Sequence, residues 1–229
     1  MICIPVFGND EKQITSLLKK IHGLCDIVEL RLDLIKGLDS RLLKQIIVQA
    51  GLPVIATNRA SWEGGGFQGN EDKRIALLEM ALECGADFVD IEQATETALK
   101  ERLFEFAKNL GAQVILSHHD FKKTPSSSQL LALFDNMASQ GPHILKIVTH
   151  ASNSMDFLRL AMLYPKAEEK GKKLIAFCMG RPGCYSRVFC TYLGSFLTFA
   201  SIEANLSSAP GQIPARIMKE ILSRIDSAC

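Results

Sequence analysis

"IVELRLDL", residues 27–34, decides the fold. Val28, Leu30, Leu32 and Leu34 fall on one face of an extended chain, and Glu29, Arg31 and Asp33 fall on the other. In an antiparallel sheet the charged face would meet water. In a parallel sheet wrapped by helices no such face exists. The apolar set would then pack against helices, and the charged set would point into a barrel.

The rest of the chain favours the second arrangement. Short runs rich in β-branched residues recur at Ile2–Val6, Ile27–Asp33, Pro53–Asn58, Phe88–Glu92, Gln113–His119, Ile144–Thr149, Lys173–Met179 and Phe196–Ser201. Helical patterns separate them. "KRIALLEMALEC" (73–84) spaces Ile75, Leu78 and Leu82 for one helix face, and 97–110 and 155–170 behave alike. "TPSSSQLLALFDNM" opens on serine caps, and the last helix, roughly 214–226, begins at a proline. Eight strands alternating with helices in 229 residues predict a single (β/α)8 TIM barrel spanning 1–229. A doubly wound sheet is the runner-up, without the GxGxxG that would support it.

Composition narrows the function. The formal net charge is +1 with no basic run, which argues against nucleic acid and anionic membranes as partners. No apolar run approaches a membrane span, and the N-terminus lacks signal-peptide character. Seven scattered cysteines form no CxxC pair, which predicts thiols in a reducing cytoplasm and no structural metal. No cofactor motif is present.

The strand ends carry the chemistry. "HILKIVTH" (143–150) sets Lys146 inside an apolar strand, where lysine is seldom buried without compensation. Thr57 and Arg59 sit at the end of the third strand, with Glu63 in the loop that follows; Asp90 and Glu92 end the fourth; His118, His119 and Asp120 end the fifth. Met179 ends the seventh, Arg187 lies in the next helix, and "SSAPGQI" (207–213) follows the eighth. A desolvated lysine beside other cations becomes a nucleophile toward carbonyls, and its iminium acidifies the neighbouring carbon. A histidine then moves the proton, and arginines hold a carboxylate. The residues therefore point to imine chemistry on a small carboxylated ketone, leaving dehydration and aldol cleavage both open.

The segments "VELRLD", "TNRASWEGG", "LSHHDF", "LKIVTH", "FCMGRPGCYSR" and "SSAPGQI" together resemble the type I 3-dehydroquinate dehydratases of the shikimate pathway. The resemblance implies a hydro-lyase that converts 3-dehydroquinate to 3-dehydroshikimate. Under it, Lys146 forms the imine, His119 is the general acid and base, and Glu63 orients His119. Arg187 binds the substrate carboxylate; Glu29, Arg31 and Arg59 contact hydroxyls and carboxylate; Ser208 and Gln212 lie in a closing loop; Met179 is an apolar wall. The resemblance also implies a homodimer and, in some lineages, fusion to shikimate dehydrogenase in a longer chain. His118 stands where relatives often carry an aromatic residue. Adjacent strand residues face opposite ways, so only one of the two histidines points inward, and His119 is the choice. The competing functions are an aldolase on the same fold and a noncatalytic binding barrel.

Overall fold

Parallel strands cannot be joined by tight turns, so each is followed by a crossover helix, and the helices cover the outer face of the sheet. The computed structural model, which describes residues 1–204, 206 and 209–228, shows seven such crossovers and a last helix after the eighth strand. Strands β1 (Ile2–Val6), β2 (Ile27–Arg31), β3 (Val54–Thr57), β4 (Phe88–Glu92), β5 (Gln113–Asp120), β6 (Ile144–His150), β7 (Lys173–Met179) and β8 (Thr198–Phe199) form one sheet. Its order is β7-β6-β5-β4-β3-β2-β1-β8, and every pairing given by the ladders is parallel. Phe196 N–H donates to Leu174 O at 2.8 Å and draws the lead-in of β8 against β7, closing the barrel.

Helices α1 (Glu11–Ile21), α2 (Ser40–Ala50), α3 (Glu71–Glu83), α4 (Thr97–Asn109), α5 (Ser127–Ser139), α6 (Asp156–Ala161), α7 (Leu163–Glu169), α8 (Ser186–Tyr192) and α9 (Ala215–Ala228) surround it. Asp10, Asp39 and Asn70 cap α1, α2 and α3, and Ser126 and Gln129 form a capping box on α5. Each such cap is worth about 1 kcal/mol. Outward residues such as Val28, Leu30, Val89, Ile91, Leu145 and Ile147 join Ile14, Leu43, Ile75, Leu103 and Phe134 of the helices in one buried cluster. At the N-terminal end of the barrel, Asp26 accepts the Ile2 N–H at 2.7 Å and Asp87 accepts the Val54 N–H at 2.8 Å.

Three boundaries differ from the sequence reading. Strand β2 stops at Arg31, the last residue laddered to β3, and a 3-10 turn over Leu32–Leu34 carries Asp33 to the rim rather than into the barrel. The helix expected over 155–170 is broken at Met162 into α6 and α7. Pro165 has no N–H to give Ala161 O, and its ring crowds that carbonyl. Strand β8 is only two residues long.

Candidate active site

Inward positions of the strands meet in layers. In the deeper layer, Lys146 on β6 is 4 % exposed. Its Nζ donates to Asp90 Oδ2 at 2.8 Å and lies 3.7 Å from Glu29 Oε1 and 4.4 Å from the Phe199 ring centre. Asp90 is shared. Its Oδ2 also pairs with Arg59 Nη2 at 2.8 Å, and its Oδ1 accepts from Ser117 Oγ at 2.6 Å. Burial opposes the charge on Asp90, but Arg59 and Lys146 hold its carboxyl well below the usual carboxylate range. The expense of a buried ammonium is thus met by an anion that two cations keep ionised. Glu29 accepts from Thr57 Oγ1 at 2.9 Å.

The layer above brings the base. His119 Nδ1 faces Glu63 Oε2 at 2.8 Å, and its backbone N–H donates to the same oxygen at 3.1 Å. No described residue bonds Nε2, and the ring lines the cavity with Lys146. Burial, then Arg59 and Lys146, keep His119 well below the ordinary imidazole range. Burial, reinforced by Glu92 and Asp90 against the opposing pull of Arg59, pushes the Glu63 carboxyl up to about 8. His118 occupies the opposite side of β5, where burial lowers its pKa, and it is absent from the cavity wall.

Glu63 is delivered by a tight loop. Asp33 accepts the N–H groups of Arg59 and Gly66 at 3.2 and 2.9 Å. Gly65 packs so closely that a Cβ there would lie 1.9 Å from Arg59 O. Only glycine permits that approach.

Arg187 on α8 is 1 % exposed and lines the same cavity. Its Nη2 donates to Pro210 O at 3.4 Å and its guanidinium sits 4.4 Å from the Phe177 ring centre, while Nε has no partner. Among the described residues no carboxylate pairs with it. Burial lowers its pKa to about 10. A buried guanidinium with an idle donor is a receptor for an anion.

The cavity gathers Glu29, Arg31, Arg59, Glu63, His119, Lys146, Met179, Arg187 and Gln212 from the sequence-predicted set. Arg31 is held bidentately by Asp33 at 2.9 and 2.7 Å. Arg59 is committed to Asp90, Glu92 and Ser117. Met179 supplies apolar wall with Val148, Phe177 and Phe199. Ser208 lies outside the described residues. The sequence reading placed Asp90 at the rim without a role and overlooked Ser117, although the alternation in "VDIE" and "LSHH" directs both inward. Phe121, stacked on His119 at 6.3 Å, and Phe177 were not singled out; nothing in their local sequence separates them from core aromatics.

Polar and charged residues from different strands and loops, converging on one buried cavity, define a (β/α)8-barrel enzyme with its site at the C-terminal ends of the strands. The comparisons with known proteins give the particular family. The family model described as type I 3-dehydroquinase matches residues 2–228, and the chain belongs to that family. It is 36 % identical over 228 residues to the 3-dehydroquinate dehydratase of Methanocaldococcus jannaschii, covering 99 % of each chain. It is 34 % identical to the chloroplastic bifunctional 3-dehydroquinate dehydratase/shikimate dehydrogenase of Arabidopsis thaliana, covering 93 % of this chain and 35 % of that one. The crystal structure of type I 3-dehydroquinate dehydratase from Clostridium difficile, with covalently modified comenic acid, superposes with a TM-score of 0.90 at 26 % identity, covering 100 % of this chain and 92 % of that one.

Proposed function

We propose that this chain is a 3-dehydroquinate dehydratase working through a Schiff base on Lys146, in the cytoplasm. The observation that carries the reading is a buried amine and a neutral imidazole on one cavity with an unmatched guanidinium. Family membership selects dehydration over aldol cleavage. The intracellular reading draws on six free thiols among the described residues.

The substrate carboxylate docks on Arg187 and fills its idle donor. Glu29, Arg31 and Gln212 receive the hydroxyls, and Ser208 joins them from the closing loop. The Lys146 amine, having given up its proton, adds to the C3 carbonyl, and loss of water leaves an iminium whose positive charge sits beside Asp90. His119 Nε2 takes a C2 proton, and the electron pair moves into the enamine. The enamine expels the C1 hydroxyl, which leaves as water with the proton from His119. Water then hydrolyses the conjugated iminium, releasing 3-dehydroshikimate and the free amine. In its ionised form Glu63 fixes the ring with Nδ1–H toward the carboxylate, the tautomer that leaves Nε2 as the acceptor.

The test is borohydride reduction in the presence of 3-dehydroquinate, read by peptide mass spectrometry. Reduction is expected to fix one substrate-derived adduct on Lys146. An unmodified Lys146, with full turnover in Lys146→Ala, would refute the mechanism.

A further inference from the structure

The loop that supplies both Arg59 and Glu63 needs an anchor that does not itself compete for substrate. Arg74, on the first turn of α3, is wholly buried and lies outside the cavity wall. Its five N–H donors are all used. Nε and Nη2 reach both carboxylate oxygens of Glu71 at 2.8 Å, Nη2 also reaches Thr95 Oγ1 at 2.7 Å, and Nη1 reaches Asn58 O at 3.2 Å and Glu92 Oε2 at 2.5 Å. Asn58 Nδ2 returns a bond to Arg74 O at 3.1 Å. Trp62, the chain's only tryptophan, is 53 % exposed and lies over the guanidinium at 5.6 Å.

Glu92 passes the constraint inward. Its Oε1 accepts from Ala60 N–H at 3.1 Å and from Arg59 Nη1 at 2.9 Å, while Oε2 is held by Arg74. One carboxylate therefore ties the helix-borne arginine to the backbone three residues before Glu63. Glu63 in turn grips His119 by both backbone and ring. Lys146 has no bond to either Arg74 or Glu92; its counter-ion is Asp90.

We propose that Arg74 and Glu92 are positioning residues for proton transfer: they clamp the loop of residues 58–65 so that Glu63 meets His119, while imine formation at Lys146 proceeds without them. This rests on the function proposed above and adds residues to it. The guanidinium fork is essential, because lysine cannot satisfy five acceptors spread over α3, the loop, the end of β4 and the segment after it. Misplacement by about 1 Å suffices to slow a proton transfer about 100-fold.

The test compares wild type with Arg74→Gln, Arg74→Lys and Glu92→Gln, each first shown to be folded by circular dichroism. Arg74→Gln is expected to lower kcat about 100-fold with KM within about threefold. Its borohydride adduct on Lys146 should form to the wild-type extent, and Trp62 fluorescence anisotropy should fall as the loop loosens. Arg74→Lys should fall between the two. If Arg74→Gln does not fold, Glu92→Gln, which keeps size and an acceptor for Ala60 N–H, is expected to show the same split. A folded variant with wild-type kcat, or one losing adduct and turnover equally, overturns the inference. A wild-type enzyme that forms no adduct removes the underlying function instead, so the two failures are distinct.

Discussion

Arg187→Met should make the protein more stable and a far poorer catalyst. The guanidinium is 1 % exposed, has Pro210 O at 3.4 Å as its one hydrogen-bond acceptor among the described residues, and leaves Nε unpaired. Lowering its pKa from the ordinary arginine value to about 10 corresponds to about 3 kcal/mol against the charged form. The folded pKa lies below the unfolded one, so that cost is present in full at neutral pH and fades only above about pH 10. Methionine removes it while retaining most of the apolar stem. Lost against this is the contact with Phe177 at 4.4 Å, a cation–π interaction of about 1–2 kcal/mol. The balance is a gain of about 1–2 kcal/mol, or a Tm rise of about 2–8 °C for a chain of this size. Losing a buried charge partner for the substrate carboxylate costs about 3–4 kcal/mol, lowering kcat/KM about 100- to 1,000-fold, chiefly through KM. Thermal melts with and without 3-dehydroquinate, alongside turnover read from the absorbance of the conjugated enone product, measure both quantities. A variant less stable than wild type, or one with unchanged KM, would refute the reasoning.

Other perturbations are equally specific. Glu63 keeps its proton to about pH 8 in the folded state, whereas the unfolded carboxyl ionises near 4.5, so wild-type stability should decline across that interval; Glu63→Gln should flatten the decline, by up to about 3–5 kcal/mol in urea titrations at pH 5 and 8. The same proton loss leaves His119 Nδ1–H on a carboxylate and Nε2 free to accept, so kcat/KM should rise with pH through a limb near 8 that Glu63→Gln abolishes; a limb unchanged in the variant contradicts this assignment. Asp90→Asn leaves Lys146 and Arg59 without their shared anion and should destabilise the fold by about 3–5 kcal/mol while impairing adduct formation; a loss below about 1 kcal/mol would show the pairing to be dispensable. Gly65→Ala forces a methyl against Arg59 O, so a folded variant should lose turnover as the Glu63 loop shifts; wild-type activity would contradict the packing.

The sequence by itself determined the barrel and most of its cargo. Period-2 alternation is a property of each strand alone, so the inward placement of Glu29, Arg31, Lys146 and His119 was readable once the sheet was taken as parallel. The break at Pro165 was equally local, though the periodic pattern of 155–170 masked it. Who meets whom across the barrel was not readable. Asp90 joins Lys146 and Arg59 from residues 56 and 31 positions away, and Arg74 gathers acceptors from α3, the β3–α3 loop and the segment after β4. Strand register and loop closure set those distances, and no local pattern encodes them. Nor did the sequence distinguish the arginine whose charge is matched from the one whose charge is not. Arg59 and Arg187 look alike as letters; only burial among Asp90 and Glu92 for one, and among apolar side chains and thiols for the other, makes the first a brace and leaves the second waiting for an anion.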